Sequence, residues 1–260
     1  MQIRPGVELA GLTDVGCQRE NNEDNYSYWE PESDEQFSRM GRLAVVADGM
    51  GGYEGGQEAS LLAVETVREV YSAARSKEPQ TALRVGFETA HQRILDKARK
   101  HPELHGMGTT CTAAAVVGFH LYFAHVGDSR LYLLRDSILY RLTRDHSYVG
   151  RLVQNKLISP EEAESHPQRH ILTAALGAGA EIVPDSSEQP LELKPGDVLA
   201  LCTDGLWSVV SDEDIRQTVG GRDAAAACEE LVRLAKDHGG PDNITVQVLR
   251  IGAAGNGAKG

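Results

Sequence analysis

Between Cys111 and Leu142 four short apolar runs follow one another: Cys111–Val117, His120–Val126, Leu131–Leu134 and Ile138–Leu142. The gaps between them are too short to hold a helix. A parallel pair needs a crossover of a dozen residues or more, so a run of this kind pairs antiparallel. Leu121, Phe123 and His125 alternate within it, as expected of a half-buried strand. Further strand-like runs lie at Val7–Leu12, Leu43–Ala47, Val198–Cys202 and Ile244–Leu249. Between them are helical patterns: Ala59, Leu62, Ala63, Thr66, Val67 and Val70 share one face, Leu83, Phe87, Ala90, Ile94 and Ala98 another, and Ala227, Leu231, Leu234 and Ala235 a third. The order predicts an α+β domain of two packed antiparallel sheets covered by helices.

The chain has 260 residues, 41% of them hydrophobic, enough for one large core. Its formal charge is −12, and no block of five or more Lys or Arg occurs. Nucleic acid and anionic membrane surfaces are therefore poor partners. The four cysteines, Cys17, Cys111, Cys202 and Cys228, are far apart and form no CxxC pair, which argues against a zinc knuckle or a disulfide scaffold. None has an arginine six residues later, so a Cys-x5-Arg phosphate loop is absent. The N-terminus lacks a signal-peptide core and no apolar run approaches a membrane span, so a cytoplasmic location is expected.

Acidic residues gather at strand ends and beside glycine. They are Arg19-Glu20-Asn21-Asn22-Glu23-Asp24, Asp48-Gly49 after a strand, Gly127-Asp128-Ser129-Arg130, Thr203-Asp204-Gly205, and Pro241-Asp242-Asn243 before the last strand. One Asp-Gly pair reads as a turn. Five such clusters, brought to one end of the sheets, would line a pocket with carboxylates. Two unit charges at about 4 Å repel by about 4 kcal/mol at an effective dielectric of about 20, so such a pocket calls for hard cations. Oxygen ligands favour Mg2+ or Mn2+ over zinc, and two such ions suit phosphoryl chemistry.

In order, TDVGCQRENNED (13–24), VVADGMGGYEGGQEAS (45–60), GTTCTAA (108–114), AHVGDSRLYLL (124–134), LTRDHS (142–147), LTAALG (172–177), PGDVLALCTDGLW (195–207) and GGPDNITV (239–246) resemble the metal-dependent protein phosphatase family, protein phosphatase 2C type, in its bacterial form. The resemblance spans about residues 7–250. It implies a four-layer αββα sandwich, a single catalytic domain over 1–251 with a flap at about 143–177, and a flexible tail over 252–260. It implies hydrolysis of phosphoserine and phosphothreonine by a water bridging two Mg2+ or Mn2+ ions, with a third ion in bacterial relatives. Asp48 would bridge the two ions and Gly49 would ligate one through its carbonyl. Asp204 and Asp242 would hold the other, and Asp128 with Asp204 would build the third site. Asp24 would sit on the metal shell with Glu23 beside it. Which of these two ligates directly is left open, Asp24 being favoured. Arg19 would grip phosphate. Asn243 would either orient Asp242 or cap a turn.

Animal relatives carry a histidine directly after the Asp-Gly as general acid; here Met50 stands in that place and cannot donate a proton. Ser129 and Arg130 are expected to brace the loop of Asp128, and His125 and His146 to be structural. Within the polar, His-bearing flap, Ser159 is expected to cap a short helix through Glu161–Ala163. The expected partner is a phosphorylated protein, opposite a Ser/Thr kinase, and the expected state a monomer. A two-metal hydrolase of small phosphate esters and a partner-switching binding module are the alternatives.

Overall fold

A computed structural model describes residues 6–52, 54–74, 78–187 and 189–252. The tail expected at 252–260 lies outside them from 253 onward. In chain order the elements are β1 (Val7–Asp14), β2 (Asp24–Trp29), α1 (Asp34–Met40), β3 (Arg42–Met50), α2 (Gly55–Ala73), α3 (Pro79–Lys100), β4 (Gly108–Thr109), β5 (Cys111–Val117), β6 (His120–Val126), β7 (Arg130–Arg135) and β8 (Ile138–Arg141). There follow α4 (Tyr148–Gln154), α5 (Pro160–Glu164), β9 (Asp185–Ser186), β10 (Leu191–Glu192), β11 (Val198–Cys202), α6 (Asp204–Trp207), α7 (Asp212–Gly221), α8 (Ala224–Asp237) and β12 (Ile244–Ile251).

Among the described residues one sheet runs β1-β12-β11-β7-β8 and the other is built on β10-β6-β5-β3-β2, with β4 and β9 beside it. Neighbouring strands pair antiparallel throughout both. The strand run that opens the argument does not stay in one sheet: β5 and β6 belong to the larger sheet, β7 and β8 to the smaller. The chain crosses the sandwich at Gly127-Asp128-Ser129, and again over 15–23 between β1 and β2.

Strand alternation builds three cores. Leu43, Val45 and Ala47 of β3 face α2 and α3, where Ala63, Val67, Leu83, Phe87 and Ile94 are buried. Ala44 and Val46 face the other way and meet Leu199 and Leu201 of β11 and Leu249 of β12 between the sheets. Val198, Ala200, Val246 and Val248 face outward onto α7 and α8, against Ile215, Val219, Ala227 and Leu231. The result is the expected α-β-β-α layering, held by apolar burial on three planes.

Along the inward positions the character changes towards one end. Leu9 of β1 gives way to Thr13, Leu201 of β11 to Thr203, Leu249 of β12 to Gln247 and Thr245, and Val46 of β3 to Asp48. Thr203, Thr245 and Gln247 are fully buried. An apolar interior thus becomes polar where the acidic clusters meet.

Two local expectations are sharpened. Neither Gly49 nor Gly205 sits in a turn: Gly49 is in β3 and Gly205 in α6, and neither has a positive φ. They are small because backbone passes over them. A Cβ on Gly49 would stand 2.0 Å from the Gly56 carbonyl oxygen, and one on Gly205 would stand 1.9 Å from that of Asn243. In the flap, Ser159 caps α5 with a full capping box to Glu162, as its sequence predicts, and Ser147 caps the additional helix α4.

Candidate metal centre

Asp24 and Asp48 stand directly opposite each other in the β2–β3 ladder. The backbone of Asp48 is pinned on both sides: its N–H donates to Thr110 Oγ1 at 3.0 Å, and its carbonyl accepts from Thr109 Oγ1 at 2.7 Å and Thr110 N at 2.9 Å. Asp204 is the first residue of α6, separated from the end of β11 by Thr203. Its charge reaches Asp48 and opposes the ionisation of that carboxyl group. Asp242 lies just before β12, and its Oδ2 accepts from Arg19 at 2.7 Å. Asp128 sits in the crossing loop, where its carbonyl accepts from Trp207 Nε1 of α6 at 2.9 Å. The structure therefore brings Arg19, Asp24, Asp48, Asp128, Asp204 and Asp242 to one end of the sandwich, drawn from both sheets.

The electrostatics are those of crowded, buried carboxylates. Burial pushes Asp24 up to about 7, helped by the charges of Asp204 and Asp242 and opposed by the hydroxyls of Thr245 and Thr203. Burial also raises Asp48 well above the usual carboxylate range, with Asp24, Asp204, Asp128 and Asp242 adding to it. Asp128 is raised by burial and then by Asp204, and Asp204 by burial and then by Asp242. Glu23 is raised by burial. Four or five carboxyl groups that resist ionisation together are a site short of positive charge.

Among the described residues no three His, Cys, Asp or Glu side chains already close around one point as a finished cage. The fit of a divalent cation is shown instead by two atoms. Asp24 Oδ1 and Asp204 Oδ1 are buried and have no hydrogen-bond partner. Buried carboxylate oxygens without donors are costly, and hard cations are the ligands such oxygens suit.

The surroundings are less legible in sequence. The Asn243 side chain does not reach Asp242. Its Oδ1 accepts from Glu23 N at 2.8 Å, and its Nδ2 donates to the carbonyls of Val15 and Asn21 at 3.0 and 2.9 Å. It clasps the loop carrying Arg19 and Glu23, while its backbone N–H holds Asp242 Oδ1 at 2.8 Å. Asn243 thus holds Asp242 through its backbone and, beyond what its sequence suggests, clasps the loop with its side chain. Glu23 uses its carbonyl as a splint, accepting from Gly49 N and Ser60 Oγ, and its carboxylate lies where a Cβ on Gly56 would collide with it.

Arg130 forks onto Asp145 at 2.7 and 3.1 Å and lies 3.5 Å over the Trp207 ring, bracing the loop as expected. Ser129 hydrogen-bonds Thr110 at 2.6 Å. His125 is buried, with Nε2 on the Arg144 carbonyl and Nδ1 on Thr112 Oγ1, and burial lowers it to about 4. His146 accepts from Gly127 N and faces Asp185. Both are structural. Met50 ends β3, paired with Gly108. Trp207, Thr109 and Thr110 were missed from sequence; only their neighbours in space reveal them.

A family model described as protein phosphatase 2C matches residues 18–239. The chain belongs to the protein phosphatase 2C family. Serine/threonine protein phosphatase PstP of Mycobacterium tuberculosis is 37% identical over 245 residues, 94% of this chain and 45% of PstP. The chain thus spans about half the length of that relative. Protein phosphatase PhpP of Streptococcus pneumoniae is 37% identical over 257 residues, 94% of this chain and 97% of PhpP. The crystal structure of the PstP catalytic domain in complex with two manganese ions superposes with a TM-score of 0.82 at 34% identity, covering 95% of this chain and 99% of that one. Protein phosphatase 2C enzymes are metal-dependent hydrolases, and the sandwich described above is their fold. No helix among the described residues is long and apolar enough to cross a membrane.

Proposed function

We propose that this protein phosphatase 2C domain removes phosphate from phosphoserine and phosphothreonine in proteins, using two Mg2+ or Mn2+ ions with room for a third. The observation that carries the reading is the pair of buried, donor-free oxygens on Asp24 and Asp204, set among carboxylates that burial and mutual repulsion keep from ionising freely.

In this reading Asp48 and the Gly49 carbonyl would hold one ion, Asp48 with Asp204 and Asp242 the other, Asp24 would stand on the shell, and Asp128 with Asp204 would hold a third. Bound there, divalent cations supply charge for the phosphoryl oxygens and acidify a water for in-line attack. The protein's own residues do the positioning. Thr109 and Thr110 fix the Asp48 backbone, so its carboxylate projects from a rigid strand end. Arg19 reaches the rim half-exposed and paired with Asp242, where its guanidinium fork suits two phosphoryl oxygens. Met50 offers no proton, so the leaving alkoxide takes its proton from water. Glu23 and Asn243 hold the Arg19 loop against the site. The domain is read as 1–251 with the flap at 143–177, acting as a cytoplasmic monomer on phosphoproteins opposite a Ser/Thr kinase.

The test is turnover of p-nitrophenyl phosphate, a phosphothreonine peptide and a nucleotide, with Mn2+, with EDTA, and in Asp204→Ala. Metal-dependent peptide turnover that disappears in the variant supports the reading. Nucleotide turnover without peptide turnover moves it to a small-ester hydrolase, and inactivity with every metal moves it to a binding module.

A further inference from the structure

Asp24 belongs to the larger sheet, yet what holds its carboxylate comes from the smaller one. Thr203, the residue after β11, donates from Oγ1 to Asp24 Oδ2 at 2.8 Å. The same Oγ1 accepts from Thr245 N of β12 at 3.0 Å. With that lone pair engaged, the hydroxyl proton has one carboxylate to go to. Thr245 Oγ1 is 2.7 Å from Thr13 Oγ1 of β1, which accepts from Asn22 Nδ2 at 2.8 Å. Asn22 Oδ1 in turn accepts from Asp24 N at 3.1 Å. The chain of bonds returns to the residue it started from. Thr203 and Thr245 are fully buried, and Asp24 very nearly so.

We propose that Thr203 is a positioning residue that clasps Asp24 across the two sheets, its hydroxyl aimed by the Thr245 N–H, satisfying Oδ2 and leaving Oδ1 presented to the metal shell. The inference rests on the reading that Asp24 serves that shell. It assigns the ring Asp24–Thr203–Thr245–Thr13–Asn22 to setting the aim of one carboxylate. An aspartate alone on β2 would rotate about χ1 and χ2. A hydroxyl from the opposite sheet, itself held in place, removes that freedom before any cation arrives, which is how outer partners tune a metal ligand. The clasp also explains why polar residues replace Leu201 and Leu249 further along the inward face: hydroxyls are wanted there, not volume.

The test uses Thr203→Val, Thr203→Ser and Thr245→Val in the full chain, with Mn2+ binding by titration calorimetry and Mn2+-dependence of p-nitrophenyl phosphate turnover. Thr203→Val keeps the shape and removes the donor. Its Mn2+ affinity is expected to fall about 10–100-fold. Its kcat is expected to return towards the parent value at saturating Mn2+. Thr203→Ser is expected to bind as the parent does. Thr245→Val keeps the backbone bond to Thr203, so it tests the clasp even if Thr203→Val does not fold, and it too is expected to weaken Mn2+. Parent-like Mn2+ affinity in the folded Val variants, or equal losses in Thr203→Val and Thr203→Ser, overturns the clasp. A parent protein that binds no Mn2+ overturns the phosphatase reading instead.

Discussion

Gly205 follows the aspartate of α6 and lies under the Asn243 carbonyl, so a methyl group there forces α6 off the last strand and moves Asp204 with it. Gly205→Ala is expected to cost about 3 kcal/mol or more and to lower metal affinity, read by urea denaturation and Mn2+ titration. Gly221→Ala is the control: its Cβ would meet nothing within 4 Å, and its φ is not positive. That change is expected to be neutral or to stabilise by up to about 1 kcal/mol. Arg19→Ala should raise KM for a phosphopeptide, and leave Mn2+ binding in place, because its guanidinium serves the phosphate. The residue scale is also where sequence reading reached furthest and then stopped. Spacing and type were enough to gather Asp24, Asp48, Asp128, Asp204 and Asp242, since each stands beside a strand end. The glycines beside Asp48 and Asp204 looked like turn formers, because close backbone approach between residues far apart in the chain leaves no mark on local pattern.

At the scale of elements, α6 has only four residues yet joins two acids: Asp204 begins it, and Trp207 ends it with its indole on the Asp128 carbonyl. Arg130 lies on that indole and forks onto Asp145 at the root of the flap. Arg130→Lys keeps the charge and loses both the fork and the stacking, and is expected to cost about 2–3 kcal/mol in denaturation. Asp128→Ala is expected to lower turnover of protein substrates while calorimetry still counts two Mn2+ ions. Loss of every ion would put Asp128 in the central pair. Most strands were legible because β3, β5 and β11 carry continuous apolar runs and β6 alternates. By contrast β2, DNYSYW, alternates aromatic and small polar residues without an aliphatic run, and α6 is too short to show a period. Helix α7, DEDIRQTVGG, ends in two glycines and has few apolar positions, so only its Ser211 cap marks it. The crossing of the strand run between sheets at Gly127–Ser129 was hidden for another reason: antiparallel neighbours in sequence look alike whether or not they share a sheet.

For the whole molecule, the acids come from both sheets, so the charge balance at the site is part of the stability of the sandwich. In chelated protein, Asp24 at about 7 keeps its proton when folded, whereas the unfolded chain releases it near the ordinary 3.8. The folded state binds more protons between those values, so this contribution is complete below about pH 4 and is lost as pH rises through about 7. The melting temperature of the EDTA-treated protein is expected to fall as pH rises from about 6.5, above which His125 no longer opposes Asp24, to about 8. Added Mn2+ is expected to cancel the fall, because a ligand of the ionised, folded form stabilises it by mass action. His125 works in the opposite sense: lowered to about 4, it favours folding above its ordinary 6.5 and that support fades as pH drops towards 4. Of the four crossings between the sheets among the described residues, the two at the acidic end, over 15–23 and at Gly127–Ser129, bear on how the molecule comes apart. Gly127–Ser129 is buried and held by Thr110, Trp207 and the His146 N–H, whereas 17–20 is exposed and the loop around it is held against the site by Asn243 and by Arg19 on Asp242. A protease offered the chelated protein should therefore cut first over 15–23, and metal supply would set the lifetime of the protein as well as its rate.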